Sequence, residues 1–335
     1  MGHLPVAMRV AVLVVVGLLC SAAARPPATT DKSYKILTYA HQRVDRVALL
    51  HRPLSLGSQP APLVVALHGL GQSVQSLRDW LRMDDAAERH GFNVVYPQAI
   101  GLSWSYGKPL ARPMPAVHGE TVDDIGFIRK MIDDLVARQL VDPERVYVTG
   151  MSRGGLMTFT LACALADRIA AAAPLITGMT DHQREECHPA RALPLVAVAG
   201  TSDRSETYGG IVAPHGRLLS VQETMNFWRE VDGCRDETSR VLPHLHEADP
   251  TNVRLIEWRD CKSETDLMLY RVRNGGHQLP SFAESTKDID AHFGLRNHDM
   301  DTAEAVWDFF SKFTDRAISH QISLRSATVE SGLSR

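Results

Sequence analysis

Between residues 62 and 280, short apolar runs alternate with longer amphipathic stretches. The runs "PLVVALHG", "FNVVYP", "RVYVTG", "AAAAPLIT", "PLVAVAG" and "DLMLYRVRNGG" are rich in Val, Leu and Ala and show little polar alternation. That pattern suits strands covered on both faces, as in a parallel sheet. Residues 74–90, 121–139, 153–167 and 221–231 carry apolar positions at helical spacing instead. A β-α-β-α order of this kind predicts a mostly parallel, doubly wound sheet with helices on both faces. Upstream, "YKILTYA" and "RVALLHRP" alternate and read as an antiparallel entry. Downstream, 303–313 read as a closing helix whose Val306, Phe309, Phe310 and Phe313 share one core-facing side. Thr121 to Asp124 reads as a capping box, with its acids structural before catalytic. No repeat and no Gly/Ser-rich or Pro-rich linker divides the chain, so one catalytic domain is expected over 32–318 and a polar tail over 319–335.

Composition narrows the classes. The chain has 335 residues, 44% of them hydrophobic, and a net charge of -3, which is enough for a sizeable core and argues against disorder. The near-neutral charge and the lack of long basic runs exclude nucleic acid and anionic membrane surfaces as expected partners. The N-terminus differs from the rest. Arg9, an apolar run over 10–19 and Ala22, Ala23 and Ala24 read as a secretory signal peptide over 1–24, the run being too short for a comfortable membrane span, with a retained signal anchor as the alternative. Its removal takes Cys20 and leaves Cys163, Cys187, Cys234 and Cys261, an even set in an exported chain. Four cysteines allow three pairings. The sequence-local pairs, Cys163 with Cys187 and Cys234 with Cys261, are preferred, against a free buried thiol at Cys163.

"YVTGMSRGGLM" places Gly150, Ser152 and Gly154 in a G-x-S-x-G frame with a strand before it and a helix after it. That context separates a nucleophile elbow from a chance turn. A serine hydroxyl needs a base, and the base needs an acid to orient it. "PLVAVAG" ends in Thr201-Ser202-Asp203, and "DLMLYRVRNGG" ends at His277, with Gly275 and Gly276 expected to leave room for the imidazole. Asp203 is preferred over Asp181, Asp232 and Asp260, none of which directly follows a strongly apolar strand. The oxyanion donors are assigned to the amides of Arg153, just after the serine, and of Leu70 in the His68–Gly71 loop, with His68 shaping that loop. Asp124 is kept as a lesser candidate near the site. His244 and His246 with Asp249 could suggest a metal site, but their polar, proline-flanked stretch reads as a solvated loop. No metal or organic cofactor is expected.

These segments together resemble secreted α/β-hydrolases of the polyhydroxybutyrate depolymerase and feruloyl or acetylxylan esterase group. The likeness runs from about Pro62 to Phe313 through "LHGLGQS", "DDIGFIRKMIDDL", "RVYVTGMSRGGLM", "ADRIAAAAPLITG", "GTSDRSETYGG" and "RNGGHQLP". It implies an α/β-hydrolase fold, a triad of Ser152, Asp203 and His277, and a cysteine pair at Cys234 and Cys261. It also implies that Trp104, Tyr106 and Tyr208 lie in loops lining the acyl or aryl pocket. The chain departs from the family where Arg204, Ser205, Glu206 and Thr207 precede Tyr208, where Leu279 replaces an aromatic, and where Arg153 replaces a smaller polar residue. Neither a linker nor a separate polymer-binding domain is visible, so small or oligomeric soluble esters are the expected substrates. A serine peptidase of the prolyl-oligopeptidase type and a non-catalytic binding protein on the same scaffold are the alternatives.

Overall fold

The structure, a computed structural model, describes residues 34–108, 115–283 and 285–313. The expected signal peptide and polar tail lie outside the described residues. The chain enters through a hairpin, β1 (Tyr34–His41) and β2 (Val44–His51), followed by β3 (Ala61–Leu67), α1 (Val74–Leu81), α2 (Met83–His90) and β4 (Asn93–Pro97). A short hairpin, β5 (Ala116–Val117) and β6 (Glu120–Thr121), precedes α3 (Asp124–Ala137), β7 (Val141–Met151), α4 (Arg153–Ala164) and β8 (Ala171–Leu175). Next come α5 (Asp181–Glu186), β9 (Leu195–Gly200), a second small hairpin of β10 (Ile211–Ala213) and β11 (Gly216–Leu218), and α6 (Val221–Asp232). The chain then adds β12 (Asp236–Val241), β13 (Asn252–Arg259), β14 (Leu267–Arg273), α7 (Lys287–Phe293) and α8 (Thr302–Phe310).

Ten strands form one sheet in the order β1-β2-β4-β3-β7-β8-β9-β14-β13-β12. The pairings from β4 through β3, β7, β8 and β9 to β14 are parallel. Antiparallel pairs flank them, β2 and β1 on one side and β13 and β12 on the other. Along β3 the side chains sort by face. Leu63, Val65 and Leu67 join a core with α3, α4 and α6, while Val64 and Ala66 join a second core with α1, α2 and α8. Burial on both faces is why the strand reads as a continuous apolar run. Val306, Phe309 and Phe310 of α8 sit in the second core, with Phe313 partly buried against it.

Three features differ from the sequence reading. The helix expected over 74–90 breaks at Arg82, which adopts a left-handed conformation between α1 and α2 while the apolar spacing continues across the break. Asp123 caps α3 by accepting from the Gly126 N–H, so Thr121 does not head a capping box. The flanking strands β12 and β13 were not anticipated. Every residue of β12 is exposed, so the strand carries no apolar alternation to reveal it.

Because the central strands are parallel, their carboxyl ends share one edge of the sheet. The loops after β3, β7, β9 and β14 therefore meet there, where open α/β sheets hold their sites.

Candidate active site

Ser152 stands between β7 and α4 with φ 54° and ψ -120°, a conformation that costs a non-glycine residue free energy and thrusts its side chain out of the turn. Its amide donates to the Leu175 carbonyl of β8 (2.9 Å) and its carbonyl accepts from Leu156 (3.0 Å), which locks the turn on both sides. The flanking glycines are required by close approach. A Cβ on Gly154 would run into the Leu67 and His68 backbone, and one on Gly150 into the Gly154 carbonyl and the Leu67 side chain.

The loop after β9 carries Asp203, and the loop after β14 carries His277; both side chains are buried. His277 Nδ1 lies 2.6 Å from Asp203 Oδ2. The other carboxylate oxygen, Oδ1, accepts from the amides of Ser205 (2.8 Å) and Glu206 (2.9 Å). A buried carboxylate with two backbone donors and an imidazole partner is fully satisfied and rigidly held. The two loops are also bonded to each other, Ser202 N–H to the Gly275 carbonyl (2.9 Å) and Asn274 N–H to Thr201 Oγ1 (2.9 Å). Gly275 and Gly276 serve a different end from the expected one. Cβ atoms there would meet Val272 and the backbone of Phe293 and Gly294, so these glycines let chain segments touch rather than leave space for the imidazole.

The His68–Gly71 loop is fixed from beneath. His68 Nε2 receives the Ala99 N–H (3.1 Å), so the ring is the neutral Nδ1–H tautomer, and Nδ1 donates to the Gly69 carbonyl (2.8 Å). Burial lowers the pKa of His68, in keeping with a neutral ring. The Gly69 carbonyl and the Leu70 N–H belong to one planar peptide and point in opposite directions. Holding the carbonyl therefore aims the amide. The Gly71 N–H donates to the Leu102 carbonyl (2.9 Å), and Gly69 N–H to Gln72 Oε1 (2.8 Å). Among the described residues neither the Leu70 nor the Arg153 amide has a backbone acceptor, which leaves both available to an oxyanion.

Three expected pocket residues separate. Trp104 is a correction: it is fully buried, its ring 5.0 Å from that of His68, and its indole N–H donates to the His68 carbonyl (2.8 Å). A buried indole needs an acceptor, and finding it in that loop makes Trp104 a brace rather than a pocket wall. Tyr106 is buried and its hydroxyl receives a hydrogen bond from Arg153 Nη1. It also lines a cavity of about 770 Å³ bounded by Thr160, Gln183 and the Cys163–Cys187 disulfide; Ser152 and His277 are not among the lining residues. Tyr208 is half-buried, its ring 5.5 Å from the Arg271 guanidinium of β14. Sequence reading noted Glu206 only as one of four residues departing from the family pattern and gave it no role; its side chain is only 10% exposed and its Oε1 lies 3.8 Å from Arg153 Nε. Burial pushes its carboxyl pKa up, while Arg153 and His277 oppose the shift. Its position three residues after Asp203 was the available signal.

The remaining candidates are structural. Asp124 is buried against Arg46 (2.5 Å) and accepts the Ser105 N–H (2.7 Å). His244 lies 3.0 Å from Asp299, and Asp249 lies 3.1 Å from His298. Among the described residues no group of three His, Cys, Asp or Glu side chains could hold a metal ion. Disulfides join Cys163 to Cys187 and Cys234 to Cys261, with Cα separations of 5.1 and 3.9 Å.

The profile of the family described as alpha/beta hydrolase fold matches residues 62–253. Feruloyl esterase B from Piromyces equi is 27% identical over 232 residues, covering 66% of this chain and 40% of that protein, so the chain matches well under half of that relative. The putative esterase NocK from Nocardia uniformis subsp. tsuyamanensis is 28% identical over 260 residues, covering 74% of this chain and 73% of that protein. The acetyl xylan esterase structure from Aspergillus awamori is similar with a TM-score of 0.53 at 17% identity, covering 76% of this chain and 98% of that one.

Proposed function

The chain belongs to the alpha/beta hydrolase fold family, and on that premise we propose that it is a serine esterase acting on soluble carboxylic esters. The observation that carries the proposal is the buried His277–Asp203 hydrogen bond of 2.6 Å, at the same sheet edge as the Ser152 elbow. In this reading His277 Nε2 takes the Ser152 hydroxyl proton as the oxygen attacks the ester carbonyl. Asp203 keeps the ring in the Nδ1–H tautomer and stabilises the imidazolium that forms. The Leu70 and Arg153 amides donate to the oxygen as it gains negative charge. Collapse of the tetrahedral species expels the alcohol with the proton from His277, and water then hydrolyses the acyl-enzyme by the same route. The relatives named as esterases support the ester as the bond attacked. Export belongs to the same proposal, supported by the two disulfides and by the N-terminal signal pattern.

Purified protein is expected to hydrolyse p-nitrophenyl acetate or butyrate, and Ser152→Ala to lose at least about a thousand-fold in kcat. Unchanged turnover in the alanine variant would remove Ser152 from the reaction.

A further inference from the structure

Next to Ser152, the guanidinium of Arg153 and the carboxylate of Glu206 form an ion pair across 3.8 Å, from Nε to Oε1, too long for a direct hydrogen bond. Arg153 is held from the other side: its Nη1 donates to the Tyr106 hydroxyl, and its guanidinium carbon lies 5.4 Å from the centre of the Tyr106 ring. Tyr106 in turn is fixed through its carbonyl, which accepts from Thr160 Oγ1 (3.0 Å). Among the described residues Nε and Nη2 of Arg153 donate no hydrogen bond. Glu206 is held through its backbone, whose N–H bonds to Asp203, so its side chain keeps its position on the acid loop. Among the described residues neither of its carboxylate oxygens receives a donor, although the side chain is nine-tenths buried. A carboxylate so placed lacks the donors that buried charges ordinarily have.

The chemistry of the pair selects its occupant. A substrate carboxylate would be repelled by Glu206, and an ammonium by Arg153. A carbonyl could accept from Arg153 but would leave Glu206 without a donor. A hydroxyl does both with one atom, accepting from Arg153 and donating to Glu206, and a single oxygen spans 3.8 Å with bonds of ordinary length. We propose that Arg153 and Glu206 are specificity-determining residues that together bind a hydroxyl group carried close to the scissile ester. The substrates are then hydroxylated esters, with the hydroxyl on either the acid or the alcohol part. This inference rests on the esterase reading above.

Two substrate series test it. On the acid side, kcat/KM is compared for methyl butyrate, methyl 3-hydroxybutyrate and methyl 3-methoxybutyrate; on the alcohol side, for propyl butyrate and 2-hydroxyethyl butyrate. The hydroxylated ester of one series is expected to be preferred about ten-fold or more, because hydrogen bonds to charged groups are the strong ones. The methoxy ester, which accepts but cannot donate, loses the preference. Glu206→Leu and, separately, Arg153→Gln bring the ratio below about three-fold, chiefly through KM. Glu206→Gln, which keeps the shape and an accepting oxygen, retains part of it and serves if the leucine variant does not fold. A ratio near one in both series for the wild type would overturn the proposal, as would a preference that survives in Glu206→Leu. Failure to hydrolyse any of the esters would instead overturn the esterase reading, and this inference with it.

Discussion

Two regions of the molecule set histidines against aspartates, and their contexts give the same pair of side chains different work. At the carboxyl edge of the sheet, His277 and Asp203 are both buried, on short loops after two adjacent parallel strands and beside a strained serine turn. Some distance along the chain, His244 pairs with Asp299 and His298 with Asp249, each segment supplying one acid and one histidine. This second arrangement is a clasp. It ties the loop between β12 and β13 to the segment ahead of α8, which in turn bonds the His277 loop through Gly276 to Leu295 (2.8 Å) and Ser281 to Asn297 (3.1 Å). A histidine beside an aspartate is therefore no signature of catalysis. What distinguishes the first pair is the burial of its histidine together with a strained serine turn at the same strand-end edge.

The largest effect that would break the comparison is on rate. Asp203→Asn is expected to lower kcat by about 10³–10⁴-fold, since the amide no longer holds the Nδ1–H tautomer. Asp299→Asn, by contrast, should leave kcat within about three-fold at 25 °C. Its cost falls on stability: Asp299 also accepts the Leu245 N–H (2.8 Å) and an Asn297 N–H (3.0 Å), so breaking that buried network removes about 1–3 kcal/mol, read as a lower Tm. Equal losses of kcat in both variants would erase the distinction.

A third histidine gives an intermediate effect. His68 neither attacks nor pairs with an acid, but it aims the Leu70 amide through the Gly69 carbonyl. His68→Phe is expected to lower kcat on p-nitrophenyl butyrate by about 10–100-fold, less than outright loss of an oxyanion donor, with the pH profile of kcat/KM unmoved. A displaced profile would mean that His68 acts on His277 instead.

The smallest effect lies in the clasp's response to pH. The hydrogen bond from Asp299 raises the pKa of His244 above its ordinary value, so the stability this pair contributes is fully present below about pH 6.5 and is lost as pH rises through the raised value. Burial pushes Asp299 upward, but its hydrogen bonds from Leu245, Asn297 and His244 outweigh that and hold it below the ordinary carboxylate range. The acid's contribution is lost only as pH falls through that lowered value. His244→Gln should therefore reduce Tm more at pH 5.5 than at pH 8.5. An equal reduction at both would show that the pair acts through packing and not charge.

The legible parts of the fold were those whose burial leaves a local mark. β3, β7, β8 and β9 are covered on both faces and read as apolar runs, and the elbow glycines are fixed by contacts with adjoining turns. β12 left no such mark because all of its residues are exposed, and the break at Arg82 was hidden because apolar spacing continues from α1 into α2. Trp104 was misassigned because nothing local shows that its loop folds back beneath His68.

By itself the sequence determined the alternating architecture, the strand-turn-helix around Ser152 and the order of Asp203 and His277 after it, since each depends on residues close together along the chain. It also marked Arg153 and Glu206 as two separate departures from a family pattern. Only the tertiary structure decided that these two side chains face each other across 3.8 Å beside the serine. That meeting depends on the β7 and β9 loops converging at one edge of a parallel sheet, a long-range relation that no local pattern of residues encodes.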